Sequence, residues 1–266
     1  MPQTLARNLG SAMPPDLVIS CMAGTVIRGF DVWPEPHPTV IEWAGEKGPG
    51  QKHPSWQTAA RSKRGQDGRL IPNLIDWFNA GSPERVAIYA FSAGSNSGLR
   101  ELLRHPEDRA MVSFCGSIDG MHGILNWNRT GYADWEMSVA PFAQYALRAA
   151  TTDEAMMVVT GNNLAAPTGH STRTPDMMKD VNRWVAGQVN VHERPPDHEL
   201  MNEFLGEGEP TPNGKGGIGN AYFFEYPGLH EEDHRLQARI IIPRVTRTFL
   251  MHSWDVQKRQ TAHGTV

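Results

Sequence analysis

The sequence predicts an α/β fold: a mostly parallel, doubly wound sheet covered by helices on both faces. Two observations predict it. The runs at 16–20 (DLVIS), 85–91 (RVAIYAF), 110–117 (AMVSFCGS), 155–161 (AMMVVTG) and 221–226 (AYFFEY) are apolar along their length. Strands of a sheet buried on both faces read this way, whereas a half-solvated strand alternates. Segments with helical periodicity stand between these runs, and strand–helix alternation implies a parallel sheet.

Each element has its own signal. Residues 1–15 read as a loose leader ending in Pro14-Pro15, and 38–42 (PTVIE) as a further strand. Residues 44–68, rich in Gly, Lys and Ser, read as loop. Leu70, Leu74, Ile75 and Phe78 share a helical face that stops at Gly81. Residues 92–105 are a turn entering a helix, and 118–138 form a loop rich in Gly, Asn and Trp. Val139, Phe142, Ala143, Ala146 and Leu147 line one face of the helix after it. Thr174-Pro175-Asp176 reads as a helix start, with a capping hydroxyl, a proline and a first-turn acid, and the helix runs to about 188. The acidic, Pro- and Gly-rich stretch 190–219 is expected to be mobile. The final helix carries Ala238, Ile241, Ile242, Val245 and Phe249 on one face, with a kink expected at Pro243. The chain reads as one domain over 1–266, with 118–150 and 190–219 as loop or cap insertions.

Composition excludes several function classes. The 266 residues suffice for one domain with a sizeable core. A net charge of −4 offers no basic surface for nucleic acid. No apolar stretch is long enough to span a bilayer. The N-terminus lacks the apolar segment of a signal peptide, so a cytoplasmic location is expected. The two cysteines, Cys21 and Cys115, cannot build a disulfide framework or a four-cysteine zinc site. No cofactor and no metal are expected, and nothing in the sequence sets an oligomeric state.

Active sites of such sheets lie at the carboxyl ends of the strands. There, Ala90-Phe91-Ser92-Ala93-Gly94 joins a buried strand to a helix in an A-x-S-x-G pattern. A sharp strand-to-helix turn needs small residues two before and two after the serine, which it pushes out of the sheet. The helix N-terminus then aims at the hydroxyl, and the Ala93 N–H is placed to stabilise an oxyanion. The competing reading is a serine that merely caps a helix.

A nucleophilic serine needs a base and an orienting carboxylate. "LHEEDHRLQ" (229–237) contains His230, Glu231 and His234, an H-E-x-x-H spacing that suggests zinc when both histidines lie on one helix. Pro227 and Gly228 place His230 in a loop, so the sequence favours His234, behind the first-turn acids Glu231, Glu232 and Asp233, as the base. A zinc-dependent hydrolase at His230 and His234 is the alternative. Asp119, in the turn "SIDGMHG" after the strand at 110–117, is the candidate acid; the next strand end, "GNNLAAP" (161–167), has no carboxylate.

With Ser92, Asp119 and His234 in that order, the chain resembles an α/β-hydrolase of the lipase- and esterase-like serine hydrolases. The resemblance rests on "YAFSAGS", "FCGSIDGMH" and "YPGLHEEDHRLQ" and covers residues 16 to about 250. It implies a nucleophile elbow, a catalytic triad and cleavage of a carboxylester or acyl ester of a small molecule or glycan. It also implies an oxyanion donor after the first strand, with Ala23 as the choice and Met22 beside it; because few strands precede the nucleophile, a reduced sheet of about five or six strands is expected. Cys21 and Cys115 would then flank the nucleophile strand, roughly 10 Å apart and too far for a disulfide. The cleft loops supply Trp33, Trp43, Trp56, Trp127, Tyr132 and Trp135. Of these, Trp127 and Trp135 join Met121 and His122 as expected substrate-binding residues, with Asn163 and His170 as weaker candidates. A non-catalytic binding protein with this fold also fits the same elements.

Overall fold

The computed structural model describes residues 16–21, 38–43, 59–60, 68–164, 171–228 and 230–255. The chain enters through β1 (Asp16–Cys21) and β2 (Thr39–Glu42), passes α1 (Ile71–Trp77), and reaches β3 (Arg85–Phe91). Helix α2 begins as a π-helical turn, Gly94–Leu99, and continues as α-helical Arg100–Leu103. Next come α3 (Pro106–Met111), β4 (Val112–Ile118), α4 (Trp135–Ser138), α5 (Ala140–Thr151) and β5 (Met156–Asn162). Then follow α6 (Thr174–Ala186), α7 (His198–Gly206), β6 (Gly214–Ile218) and β7 (Ala221–Tyr226). The last helical stretch, α8, begins as Glu231–Leu236 and runs to 255.

The strands form one sheet of 7 in the order β2-β1-β3-β4-β5-β7-β6. All neighbours are parallel except β6, which runs antiparallel to β7 at the edge. Because side chains alternate along a strand, the apolar runs feed two cores. On one face, residues such as Ile19, Ile88, Cys115 and Val159 pack under α1, α2, α5 and α6. On the other, Tyr89, Phe114, Val158 and Phe224 meet Phe204 of α7 and Ile241, Val245 and Phe249 of α8. Burial on both faces is the physical reason these strands show no polar alternation. β1 and β4 flank β3, so Cys21 and Cys115 sit on either side of it, buried and free. Burial pushes both thiols well above the usual range; for Cys21 the nearby Cys115 adds to the effect.

At the amino ends of β1 and β3, Arg85 grips Asp16 through two 2.6 Å hydrogen bonds and donates to the Trp254 carbonyl at 2.8 Å. Its guanidinium also lies over the Trp254 ring, 5.0 Å from the centroid. This fork-to-carboxylate geometry ties the end of α8 to the sheet.

Several expectations need correction. Residues 190–219 are built rather than mobile. Asp197 caps α7 by accepting from the Glu199 and Leu200 N–H groups at 2.9 and 3.0 Å, and Leu200, Met201 and Phe204 anchor the helix in the core. β6 reads Gly-Lys-Gly-Gly-Ile, an edge strand with almost no apolar pattern to detect. It makes the sheet larger than the five or six strands expected. The strand placed at 110–117 starts at Val112, because Pro106 opens a helix whose buried Asp108 accepts from the Leu70 and Ile71 N–H groups at 2.8 Å. Residues 139–150 belong to the sheet-covering helix α5 rather than to a cap, since Phe142, Tyr145 and Ala146 are fully buried. Thr174 is the first residue of α6 rather than its cap, and its hydroxyl is buried without a hydrogen bond. Around Pro243, where a kink is expected, the helix continues with irregular turns: π-helical Gln237–Ile241 and Thr246–Leu250 flank α-helical Ile242–Val245. A wider turn before a proline shifts the carbonyl ladder and absorbs the missing N–H. Among the described residues no helix is long and apolar enough to cross a membrane.

Phe249 is the pivot of the second core, with ring centroids 5.1 Å from Phe204, 4.7 Å from Tyr222 and 5.8 Å from Phe224. Phe249→Ala is expected to cost about 3–5 kcal/mol in urea unfolding. A loss below about 1 kcal/mol would mean that this aromatic cluster does not hold α8 to the sheet.

Candidate active site

The carboxyl ends of β3 and β4, together with the start of α8 just past β7, carry the candidate residues. Ser92 follows β3 directly and adopts φ 54°, the left-handed region that a non-glycine residue enters only under constraint. Its N–H donates to the Ile118 carbonyl at 3.1 Å, and its carbonyl accepts from Ser95 and Asn96 at 3.0 and 3.2 Å. The turn is therefore held from the neighbouring strand and from its own helix. A Cβ on Gly94 would lie 1.6 Å from the Cys21 carbonyl oxygen, so the steric demand for a small residue there is absolute. Ser92 is half-buried and Ala93 is exposed. The Ala93 N–H belongs to the first helical turn, where N–H groups lack intrahelical acceptors.

Asp119 is also left-handed, with φ 43°. Its N–H donates to the Thr160 carbonyl at 2.8 Å, which continues the β4–β5 ladder past the strand end. The carboxylate is 4% exposed in this turn and, among the described residues, has two hydrogen-bond partners. Oδ1 accepts from the Asn162 N–H at 3.0 Å, and Oδ2 meets His234 Nδ1 at 2.8 Å. A carboxylate only accepts, so a neutral His234 carries its proton on Nδ1 and presents an unprotonated Nε2. The His234 ring stacks on Phe91, centroid to centroid 4.4 Å at 26°. Phe91 immediately precedes Ser92, which ties the imidazole to the elbow. Among the described residues no hydrogen bond joins the Ser92 hydroxyl to His234. In unliganded sites such bonds are commonly long and tighten on the substrate.

The local chain explains how His234 arrives there. His230 is the extended residue before α8, its N–H accepted by Asp233 Oδ2 at 3.0 Å. Glu231, Glu232 and Asp233 fill the first turn, where acids favour the helix dipole, and His234 follows one residue later. His230 is exposed and outside the helix, so the two imidazoles do not share the helical face that an H-E-x-x-H zinc site uses. Among the described residues no group of three or more His, Cys, Asp or Glu side chains is arranged to hold a metal ion.

The other expected site residues divide. His122 stands beside the pair, close enough to feel the charges of Asp119 and His234. Its Nδ1 lies 2.9 Å from the Thr172 carbonyl. Met121 does not face a substrate: it is fully buried in the core, because the turn at Asp119 sends the next apolar side chain inward. Trp135 is likewise packing, edge-on to Tyr132 at 5.5 Å and tilted against Trp184 at 6.4 Å, while the Tyr132 hydroxyl donates to Asp180 at 2.7 Å. Trp127 is 89% exposed on a turn closed by the Asn126 N–H to Gly131 carbonyl bond of 2.8 Å. Trp43 is buried, and Asn163 accepts from Arg173 at 3.4 Å. Ala23, Met22, His170, Trp33 and Trp56 lie outside the described residues.

Four contributors went unread in the sequence: Phe91 as the ring under His234, Asn162 as a backbone donor to Asp119, Thr172 as the anchor of His122, and Gly120. A Cβ on Gly120 would sit 2.1 Å from the Ser92 carbonyl oxygen and 2.7 Å from Ser95 Cβ. The Asp119-Gly120 dipeptide, a turn signal, was the one readable trace of that contact.

Burial holds the His122 ring below the usual histidine range; the Thr172 carbonyl and the Asp119 charge oppose it, and His234 adds the smallest effect, downward. The folded state therefore binds this proton less readily than the unfolded chain. Stability contributed by neutral His122 is present above about pH 6.5, the unfolded value, and declines as pH falls below it. In an NMR titration the His122 ring signals, assigned with His122→Phe, should move at a pH clearly below about 6.5. A midpoint at or above that value would contradict the burial seen here. In comparisons with family models, with curated proteins and with solved structures, no match to this chain was found.

Proposed function

We propose that this protein is a serine hydrolase of the α/β-hydrolase type that cleaves esters through an acyl-enzyme, with Ser92, His234 and Asp119 as nucleophile, base and acid. The observation that carries the reading is the pairing of Asp119 Oδ2 with His234 Nδ1 at 2.8 Å, with the ring stacked on the residue that precedes a left-handed serine. The topology supports it too: the serine follows a central strand, the acid follows the adjacent one, and the histidine follows the last parallel strand.

In this mechanism His234 Nε2 takes the Ser92 hydroxyl proton as Oγ attacks the ester carbonyl. The Ala93 N–H holds the resulting oxyanion. Asp119 keeps the imidazole in the correct tautomer and stabilises its cation without taking its proton. Collapse of the tetrahedral intermediate breaks the C–O bond, and the proton on Nε2 leaves with the alcohol. Water then repeats the sequence on the acyl-enzyme, releasing the acid and restoring Ser92. The strained serine is consistent with the steric logic of such elbows.

A fluorophosphonate should add one adduct to Ser92, located by peptide mass, and none to Ser92→Ala. Absence of labelling across several such probes would sink the nucleophile and favour a binding protein. Asp119→Asn should lower turnover on the order of 10³–10⁴-fold while the circular dichroism spectrum stays native. Full activity in that variant would move the acid elsewhere. Activity lost to a chelator and restored by zinc would favour the metal alternative.

A further inference from the structure

His122 is an imidazole beside the site that the triad does not use. It lies three residues past Asp119 and within electrostatic reach of both Asp119 and His234. Its Nδ1 faces the Thr172 carbonyl at 2.9 Å. A carbonyl accepts and never donates, so Nδ1 carries the proton and the neutral ring offers a lone pair at Nε2. Nε2 makes no hydrogen bond among the described residues.

The ring is also held rigidly. The Gly123 N–H donates to Thr172 Oγ1 and the Thr172 N–H donates to the Gly123 carbonyl, both at 2.9 Å. Ile124 and Ser171 continue this pairing as an antiparallel bridge. Exchange of the tautomer would set two acceptors against each other at Nδ1. The two imidazoles of the site thus differ in kind. His234 has a carboxylate partner that supports a developing cation, whereas the His122 ring is hydrogen-bonded to a neutral carbonyl and burial disfavours its charged form. His122 is therefore a poor second base and a good fixed acceptor.

Resting on the serine-hydrolase reading above, we infer that His122 is a specificity residue whose Nε2 accepts a hydrogen bond from a hydroxyl group of the substrate. The preferred substrates are then esters that carry free hydroxyls close to the acyl bond, such as monoacyl polyols and partly acylated sugars, rather than plain alkyl esters. A site built to pair a substrate hydroxyl discriminates against the analogue that lacks it, because its polar group is then left desolvated and unpaired.

The test uses the full chain and three acetates: glycerol monoacetate, propyl acetate, which lacks both hydroxyls, and p-nitrophenyl acetate, which reports on the hydrolytic machinery alone. After correction for their rates with hydroxide, wild-type kcat/KM should favour glycerol monoacetate over propyl acetate by about tenfold or more. His122→Phe, which keeps the ring volume and removes the acceptor, should reduce that ratio to about twofold or less, with a larger fold loss on glycerol monoacetate than on propyl acetate or p-nitrophenyl acetate. His122→Gln, which restores a side-chain oxygen, should recover part of the preference. Equal wild-type rates on the glycerol and propyl esters would overturn the assignment, and this arm stands even if the Phe variant does not fold. A His122→Phe loss shared equally by all three esters would also overturn it, leaving His122 as a structural tie. In both cases Ser92 would still label with a fluorophosphonate, and the hydrolase reading would survive. A wild type that neither labels nor turns over any ester would overturn both.

Discussion

The contact between His234 Nδ1 and Asp119 Oδ2 is the constraint on which the site depends. It joins residues 115 apart in sequence. Asp119 leaves β4 and His234 follows β7, with β5 between those strands. The carboxylate has to reach across the end of β5, and it is the Asn162 N–H at that end that holds its other oxygen. The pair therefore exists only if β4, β5 and β7 are parallel, adjacent in that order and in the observed register. A slip of one residue would turn the end of each strand to the opposite face. Both cores guard against such a slip, because each strand offers apolar side chains to helices on both sides.

Two of the four non-glycine residues in left-handed backbone among the described residues stand at the candidate site. Ser92 and Asp119 both occupy left-handed backbone, at a cost of about 1–3 kcal/mol each. Each is pinned by a backbone hydrogen bond that extends the sheet one rung beyond a strand, Ser92 to Ile118 and Asp119 to Thr160. The two turns interlock through glycines: Gly94 lies against the end of β1, and Gly120 lies against the Ser92 carbonyl. Neither turn relaxes without moving the other, which fixes the serine relative to the acid before any ligand binds. At the opposite end of the sheet, Arg85 clamps Asp16 and the Trp254 carbonyl, so α8 is anchored at its far end while its first turn delivers His234. Under the hydrolase reading proposed above, a preorganised pair of this kind would cost no rearrangement as charge develops.

Much of this was legible in the sequence, and the misses are instructive. The apolar runs at 85–91 and 221–226 marked strands buried on both faces, and the small residues around Ser92 marked a turn that only small residues fit. The first-turn acids before His234 separated it from His230 by helix electrostatics. The misses fall where the signal is not local. β6 was unreadable because glycines at a sheet edge carry no hydrophobic period. Met121 and Trp135 fall in the stretch 118–138 that reads as a cleft loop, yet Met121 enters the core and Trp135 opens α4 and joins the aromatic cluster with Tyr132 and Trp184. A loop residue's direction is set by the dihedrals of the turn before it, here the left-handed Asp119, and no composition rule reports those.

What the sequence determined by itself was the class of fold, the order of its apolar strands and the position of a serine on a strand-to-helix turn. Those follow from burial period and steric size, which are properties of neighbouring residues. Only the tertiary structure decided that Phe91 lies beneath the His234 imidazole, that the Asn162 N–H holds the other oxygen of Asp119, and that His122 is tied to Thr172. Such choices depend on strand register and on a few turn dihedrals that no short window of residues encodes, because each is settled by the packing of segments far apart in the chain.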